Sequence, residues 1–270
     1  MAGAPLDISL WRANVHELIE ECAEQWGLRL GEAYVPGAVG HVLRAELPDG
    51  TPAVLKLSWP HREAEQEADA LERWDGGGAV RLYSRDDERH ALLLERCEPG
   101  TMLAHSPSAV DVLIELLPRL WKSGEGFRSV AEEAGFWLEN GLREVADEGL
   151  REAAVEYLRD LIPTQGEQVL VHQDLHAENV LAAQREPWLA IDPKPLAAER
   201  ELSAAPIVRS FELGHSKRHV LDRLDRLVGE LGLDRERARR WTVAQTVAWS
   251  GGSDYIETHL ETVRWLLEGA

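Results

Sequence analysis

Cysteine is nearly missing from this chain. The two present in 270 residues, Cys22 and Cys97, are too few and too far apart for a disulfide framework or a thiolate metal site. A reducing compartment, the cytoplasm, is therefore expected, with a core held by apolar burial. Long apolar runs are also absent. None approaches the roughly 20 residues that cross a bilayer, and the opening "MAGAPLDISLW" lacks the basic-then-apolar order of an export signal. No membrane association is expected. Basic residues are in the minority, 29 Lys and Arg against 48 Asp and Glu, for a formal charge of -19. A nucleic-acid partner would need clustered cations, whereas acids here interrupt nearly every basic group. The excess carboxylates serve solubility first, and they suit a cationic or metal-bound small molecule. Repeats, low-complexity tracts and long linkers are missing too, so the length fits one large domain or two lobes.

What is present changes character along the chain. From about Tyr34 to Leu94 the pattern is strand-rich: "HVLRAELPDGTPAVLKL" alternates apolar and polar positions around "PDG", a hairpin turn. Between it and the strand-like "HALLLE", residues Ala64, Ala68, Leu71 and Trp74 recur at helical spacing and predict one helix interrupting the sheet. After "CEPGT" come long amphipathic segments such as "AVDVLIELLPRLWKS", "REAAVEYLRDLI" and "HVLDRLDRLVGELG". Two short runs, "QVLVH" and "WLAID", predict a hairpin within that helical part. The expected fold class is α+β, two-lobed: a small antiparallel sheet with one helix in residues 1–96 and a larger, mainly helical part in 97–270. A cleft near Cys97 to Gly100 is the default binding site.

The chemistry concentrates in "VHQDLHAENVL", which has His172, Asp174 and Asn179 in the form HxDxxxxN. A carboxylate at a strand end can accept a hydroxyl proton, and an amide oxygen five residues later can ligate a hard cation. Asp192, closing the strand-like "WLAID", offers a second oxygen, and the three describe a magnesium site. Two readings compete. In one, Asp174 and Asn179 only satisfy backbone donors of a polar turn. In the other, His172, Asp174 and His176 alternate to hold a transition metal, leaving Asn179 and Asp192 without a task.

Lys56, in the apolar "AVLKL", needs a partner for its charge, and a phosphate would provide one. Glu63 and Glu67 share a helix face and either can orient it, with Glu67 preferred. The plainer alternative puts Lys56 on the solvent side of an edge strand. Just upstream, Gly37 and Gly40 in "VPGAVGHVLRA" would let backbone N–H groups approach phosphate, or would make an ordinary turn.

The order of glycine loop, strand lysine, helix glutamate, HxDxxxxN and strand-end Asp resembles the protein-kinase-like fold of the aminoglycoside phosphotransferases. "HQDLHAENVL", "WLAIDPKP" and "DALERWDGGGAVRL" are similar to its streptomycin and hydroxyurea kinase branch. The resemblance implies an ATP- and Mg2+-dependent kinase of a small-molecule hydroxyl, with streptomycin the expected acceptor and hydroxyurea the alternative. It implies Asp174 as catalytic base and Asn179 and Asp192 as magnesium ligands. Lys56 and Glu67 would serve the ATP phosphates, and backbone groups of Glu95 and Cys97 in "LLERCEP" the adenine edge. The sequence departs from the pattern at Pro193 and Lys194, where kinases carry phenylalanine and glycine, although the streptomycin branch matches here. It departs again at Ala198, where glycine is usual, and at Ser203, where an aspartate often braces the catalytic loop. "GAVGH" lacks the hydroxyl residue that many relatives place at the loop tip, which leaves His41 either to contact phosphate or to face solvent. Asp254 and Glu257, with Glu261 next on the same helix face, are the candidate carboxylates for a cationic acceptor, set against an ordinary solvated face. Trp249 is expected to fill the core rather than stack on a sugar.

Overall fold

A computed structural model describes residues 7–34, 39–251 and 256–268. The chain divides into two compact units, one of residues up to Gly100 with Ala182–Ile191, the other of Thr101–Leu181 with Asp192 onward. Among the described residues no helix is long and apolar enough to cross a membrane.

The first unit opens with helix α1 (Ile8–Trp26), which the reading of the sequence missed. Its signals are present nonetheless. Asp7 Oδ1 accepts the N–H groups of Ser9 and Leu10 at 2.7 and 3.3 Å, Gly27 closes the helix at φ 64°, and Trp11, Val15, Ile19 and Cys22 recur on one face. That face packs on Ala53, Leu55 and Leu57 of strand β3 (Pro52–Ser58) and on Ala91 and Leu93. Each fully buried leucine there contributes about 1.5–3 kcal/mol. With β1 (Arg29–Ala33), β2 (Gly40–Glu46), β4 (Leu82–Asp86) and β5 (Ala91–Glu95), β3 forms an antiparallel sheet in the order β1-β2-β3-β5-β4. The β2–β3 turn is the expected one, with Asp49 Oδ1 accepting the Thr51 N–H at 2.9 Å and Gly50 at φ 87°. Strand β3 is therefore central, which removes the edge-strand reading of Lys56. Helix α2 (Glu67–Trp74) follows β3 but starts later than the spacing predicts: Arg62–Ala64 forms a separate 3-10 turn, so Glu63 and Ala64 are not on the helix that carries Glu67.

The second unit is mainly helical, with α3 (Ala109–Leu120), α4 (Val130–Glu139), the short α5 (Gly141–Glu144) and α6 (Glu148–Leu161), then α7 (Ala204–Arg209), α8 (Lys217–Leu231), α9 (Arg235–Ser250) and α10 (Ile256–Glu268). Helix α9 is buried almost all round from Trp241 to Ala248, the mark of a central helix. Four short strands lie between α6 and α7: β6 (Gln168–Val171), β7 (Val180–Ala182), β8 (Trp188–Ala190) and β9 (Leu196–Glu199). Here one expectation fails. "QVLV" does not form a hairpin with "WLA"; β6 pairs with β9, from Gln168 opposite Glu199 to Val171 opposite Leu196. Strand β8 belongs to the first unit, where Ala190 exchanges hydrogen bonds with Gly78 and Val80 at 2.9 and 3.0 Å. Short apolar runs specify burial but not partner, and the alanine-rich "LAAE" of β9 carries little strand propensity to reveal itself.

Candidate functional site

In the first unit, alternation along β3 turns Ala53, Leu55 and Leu57 toward α1 and Lys56 to the other face. There its ammonium meets Glu67 Oε1 at 2.6 Å, both side chains being largely buried. Gly40 begins β2, and a Cβ on it would stand 3.3 Å from the Leu57 carbonyl oxygen, a tight approach between the strands. Gly37 lies outside the described residues. His41 faces α1, its ring 5.8 Å from that of Trp11.

At the end of β5, the Glu95 N–H donates to the Arg81 carbonyl at 2.9 Å. The Glu95 carboxylate accepts a two-pronged contact from Arg185, 2.8 Å at each nitrogen. Burial alone would raise its pKa, but Arg185 and the Arg81 N–H hold it below the ordinary carboxylate value. Both cysteines are free and buried, and burial pushes the Cys97 thiol up to about 12. Cys97 is thus no nucleophile at neutral pH.

In the second unit, β6 delivers the chain into His172, Gln173 and Asp174, all buried. Three successive carbonyls are clamped. His172 O accepts from the Lys194 N–H at 3.0 Å, Gln173 O from Gln245 Nε2 at 3.1 Å, and Asp174 O from Asn179 Nδ2 at 2.9 Å. This clamping holds two non-glycine residues in the left-handed region, Gln173 at φ 64° and Asp192 at φ 54°. Such backbone costs on the order of 1–3 kcal/mol per residue and clusters where function requires it.

The Asp174 side chain has a cation on each oxygen: Lys194 Nζ in close contact with Oδ2, and Arg209 at 3.1 Å from Oδ1. Burial pushes its pKa up, but Lys194, Arg209 and His176 outweigh that and hold it below the ordinary value, so it is ionised at neutral pH. Arg209 also donates to Gln245 Oε1 at 3.2 Å and lies 4.5 Å from the centre of the Trp249 ring, with Lys194 Nζ at 5.5 Å from the same ring. Trp249 is only partly buried, a platform for two cations rather than the core residue expected. The segment carrying Arg209 is pinned by the buried Arg223, which donates to the carbonyls of Val208, Leu213 and Gly214.

Glu212, from the same segment, approaches His176 Nδ1 at 3.1 Å and accepts the Ala177 N–H at 3.2 Å. Burial would lower the His176 pKa, but Glu212 and the Asp174 charge raise it overall, while the pairing lowers that of Glu212 despite burial. A raised histidine stabilises the fold below its unfolded value of 6.5 and loses that contribution as pH rises through the folded one; a depressed carboxylate stabilises above 4.5 and loses it as pH falls. Glu212→Gln is therefore expected to cost most between pH 4.5 and 6.5, by about 1–3 kcal/mol. Thermal unfolding of both proteins across pH should show the gap narrowing on either side.

Arg209, Glu212 and Gln245 escaped the sequence reading, since a lone polar residue on a helix reads as a solvated one. Ser203 accepts from Trp121 Nε1 at 3.0 Å, so the loop's braces here are Gln245 and Arg209. Glu257 stands exposed in the first turn of α10, Glu261 pairs with His215 at 2.9 Å, and Asp254 lies outside the described residues.

A hard cation could be held by Asn179, whose amide nitrogen is spent on the Asp174 carbonyl and whose oxygen is left to ligate, and by the Asp192 carboxylate. Among the described residues no three His, Cys, Asp or Glu side chains group to hold a metal. His172 Nδ1 accepts the Asp174 N–H at 3.3 Å and His176 faces Glu212, contacts that argue against the transition-metal reading.

The chain is similar to known proteins over most of its length. A profile of the aminoglycoside/hydroxyurea antibiotic resistance kinase family matches residues 30–253. The hydroxyurea phosphotransferase of Kitasatospora aureofaciens is 41% identical over 245 residues, covering 85% of this chain and 70% of that protein. The streptomycin 6-kinase of Streptomyces griseus is 37% identical over 257 residues, covering 87% and 81%. Among solved structures, the choline kinase of Streptococcus pneumoniae matches 95% of this chain and 98% of its own with a TM-score of 0.69 at 17% identity. That likeness shows the protein-kinase-like fold.

Proposed function

This chain belongs to the aminoglycoside/hydroxyurea antibiotic resistance kinase family and is a phosphotransferase with a hydroxyl acceptor, and from that premise we propose that it uses ATP and Mg2+ to phosphorylate an aminocyclitol antibiotic such as streptomycin, in the cytoplasm where ATP is supplied. The observation that carries the reading is Asp174, an ionised carboxylate on a clamped loop with a cation on each oxygen. It would accept a hydrogen bond from the acceptor hydroxyl, turn that oxygen in line with the γ-phosphorus, and take the proton as the new O–P bond forms. Positioning and charge supply most of such a rate.

Lys56, oriented by Glu67, would hold phosphate oxygens. Asn179 Oδ1 and Asp192 would hold the magnesium ion, which when bound offsets phosphate charge. With the Glu95 N–H committed to Arg81, the adenine amine would be met by the Glu95 carbonyl and the ring edge by the Cys97 N–H.

A second reading has its own support. Lys194 and Arg209 place two cations on Asp174, which disfavours an acceptor whose reacting hydroxyl is flanked by guanidinium groups. Uncharged hydroxyurea has no such penalty, and the relative at 41% identity carries that name. Incubation with Mg-ATP and either acceptor, followed by mass analysis, separates the two. A streptomycin adduct is expected. An adduct on hydroxyurea alone moves the assignment to the second reading, and nucleotide binding with no adduct on a wider hydroxyl panel would leave a kinase-like binding protein.

A further inference from the structure

The mechanism above gives Lys194 no task, yet its position is specific. The loop after Asp192 is tied to the Asp174 loop by the Lys194 N–H on the His172 carbonyl at 3.0 Å, and its ammonium rests on Asp174 Oδ2. The two cations on Asp174 are not equivalent. The Arg209 side chain is 8% exposed, and its planar fork is fixed among Asp174, Gln245 and the Trp249 face. That of Lys194 is 21% exposed and ends in a single ammonium on a flexible four-carbon stem.

To bind an acceptor hydroxyl, Asp174 must turn over one oxygen to it. Oδ1 accepts from the fixed Arg209 fork and Oδ2 from the more mobile Lys194, so Oδ2 is the oxygen more readily turned over to a hydroxyl. A hydroxyl hydrogen-bonded there at about 2.7 Å stands about 3–3.5 Å from the phosphorus it attacks. The transferring group would then lie on the same side of the site as the displaced ammonium, which sits on a flexible stem.

We propose, building on the kinase reading, that Lys194 is a catalytic residue that rests on Asp174 Oδ2 and moves onto the γ-phosphoryl group of a bound nucleotide, leaving that oxygen to the acceptor. Its role is charge alone. The hydroxyl proton passes to Asp174, the acceptor O–P bond forms, and the bond from phosphorus to the bridging oxygen breaks with its electrons leaving on ADP. Lys194 keeps all its protons. The exchange also ensures that Asp174 is released to the acceptor only when an anionic phosphoryl group is there to take the ammonium.

The test compares the natural protein with Lys194→Met and Lys194→Arg. Calorimetry with magnesium measures the affinities of a β,γ-imido ATP analogue and of ADP, and steady-state kinetics use whichever acceptor is turned over. Lys194→Met is expected to weaken the analogue about tenfold with ADP unchanged, and to lower kcat by about 10²–10³-fold with little change in acceptor KM. Lys194→Arg should restore a large part of both. Equal weakening of the two nucleotides, unchanged affinities with a raised acceptor KM, or a natural protein that does not distinguish analogue from ADP would each overturn the assignment. If no acceptor is turned over, the kinase reading fails while the nucleotide comparison still decides whether Lys194 senses the γ-phosphate. Binding of neither nucleotide sinks both.

Discussion

Replacing Asp174 by asparagine is expected to lower kcat by about 10²–10⁴-fold while nucleotide affinity changes only a few-fold. The amide keeps the shape but accepts no proton, and its nitrogen would point at Lys194 or Arg209. The same change removes the anion that neutralises two cations, one of them buried, so a stability loss of about 3–5 kcal/mol accompanies it. The natural pairing has a definite pH window. Because the folded-state pKa of Asp174 lies below the ordinary 3.8, its stabilisation is present above that value and lost as pH falls through the lower one. Adding Arg209→Met to Asp174→Asn should recover stability without recovering activity. Thermal scans and product formation on the natural, single and double variants check both halves, and a double variant that regains turnover would remove Asp174 from the chemistry.

Lys56→Met is the second large effect. Glu67 is 3% exposed, and the substitution withdraws the ammonium it meets at 2.6 Å. Removing one member of a buried pair costs about 3–5 kcal/mol, on the order of 10 °C in melting temperature. Nucleotide affinity should fall at least about tenfold, the loss expected when a charge-assisted contact to phosphate disappears. Lys56→Met with Glu67→Leu separates the consequences: melting temperature is expected to return toward the natural value and nucleotide affinity to stay low. Recovery of affinity in that double variant would mean Lys56 serves Glu67 rather than the nucleotide.

How much of this the sequence disclosed depends on how local each feature is. The alternation of β3 and the Asp49-Gly50 turn are local, and the preference for Glu67 as partner of Lys56 holds, although Glu63 lies in a separate turn and not on the same helix as Glu67. Whether β3 is central or peripheral depends on strand order, which no residue of β3 encodes. The pairing of β6 with β9 instead of β8 is a long-range choice of the same kind. The HxDxxxxN spacing marks the loop, but its braces come from α7 and α9, where Arg209 and Gln245 look like ordinary helix polar groups until the fold buries them. Trp249 shows the converse, a large apolar residue left partly open because two cations occupy its face. The family resemblance added expected roles to a spacing that already favoured a magnesium site over a transition-metal one.

The first unit is not a contiguous stretch of gene. It closes only when Ala182–Ile191 returns to it, bringing Arg185 onto Glu95 and onto the carbonyls of Gly76 and Ala79 at 2.7 and 3.0 Å. A crossover between two relatives near codon 100 would therefore transplant one half of that contact and leave the other behind. Chimeras of this family should tolerate such junctions only when both parents carry the same pair, and a clone truncated at Gly100 should yield an aggregating fragment.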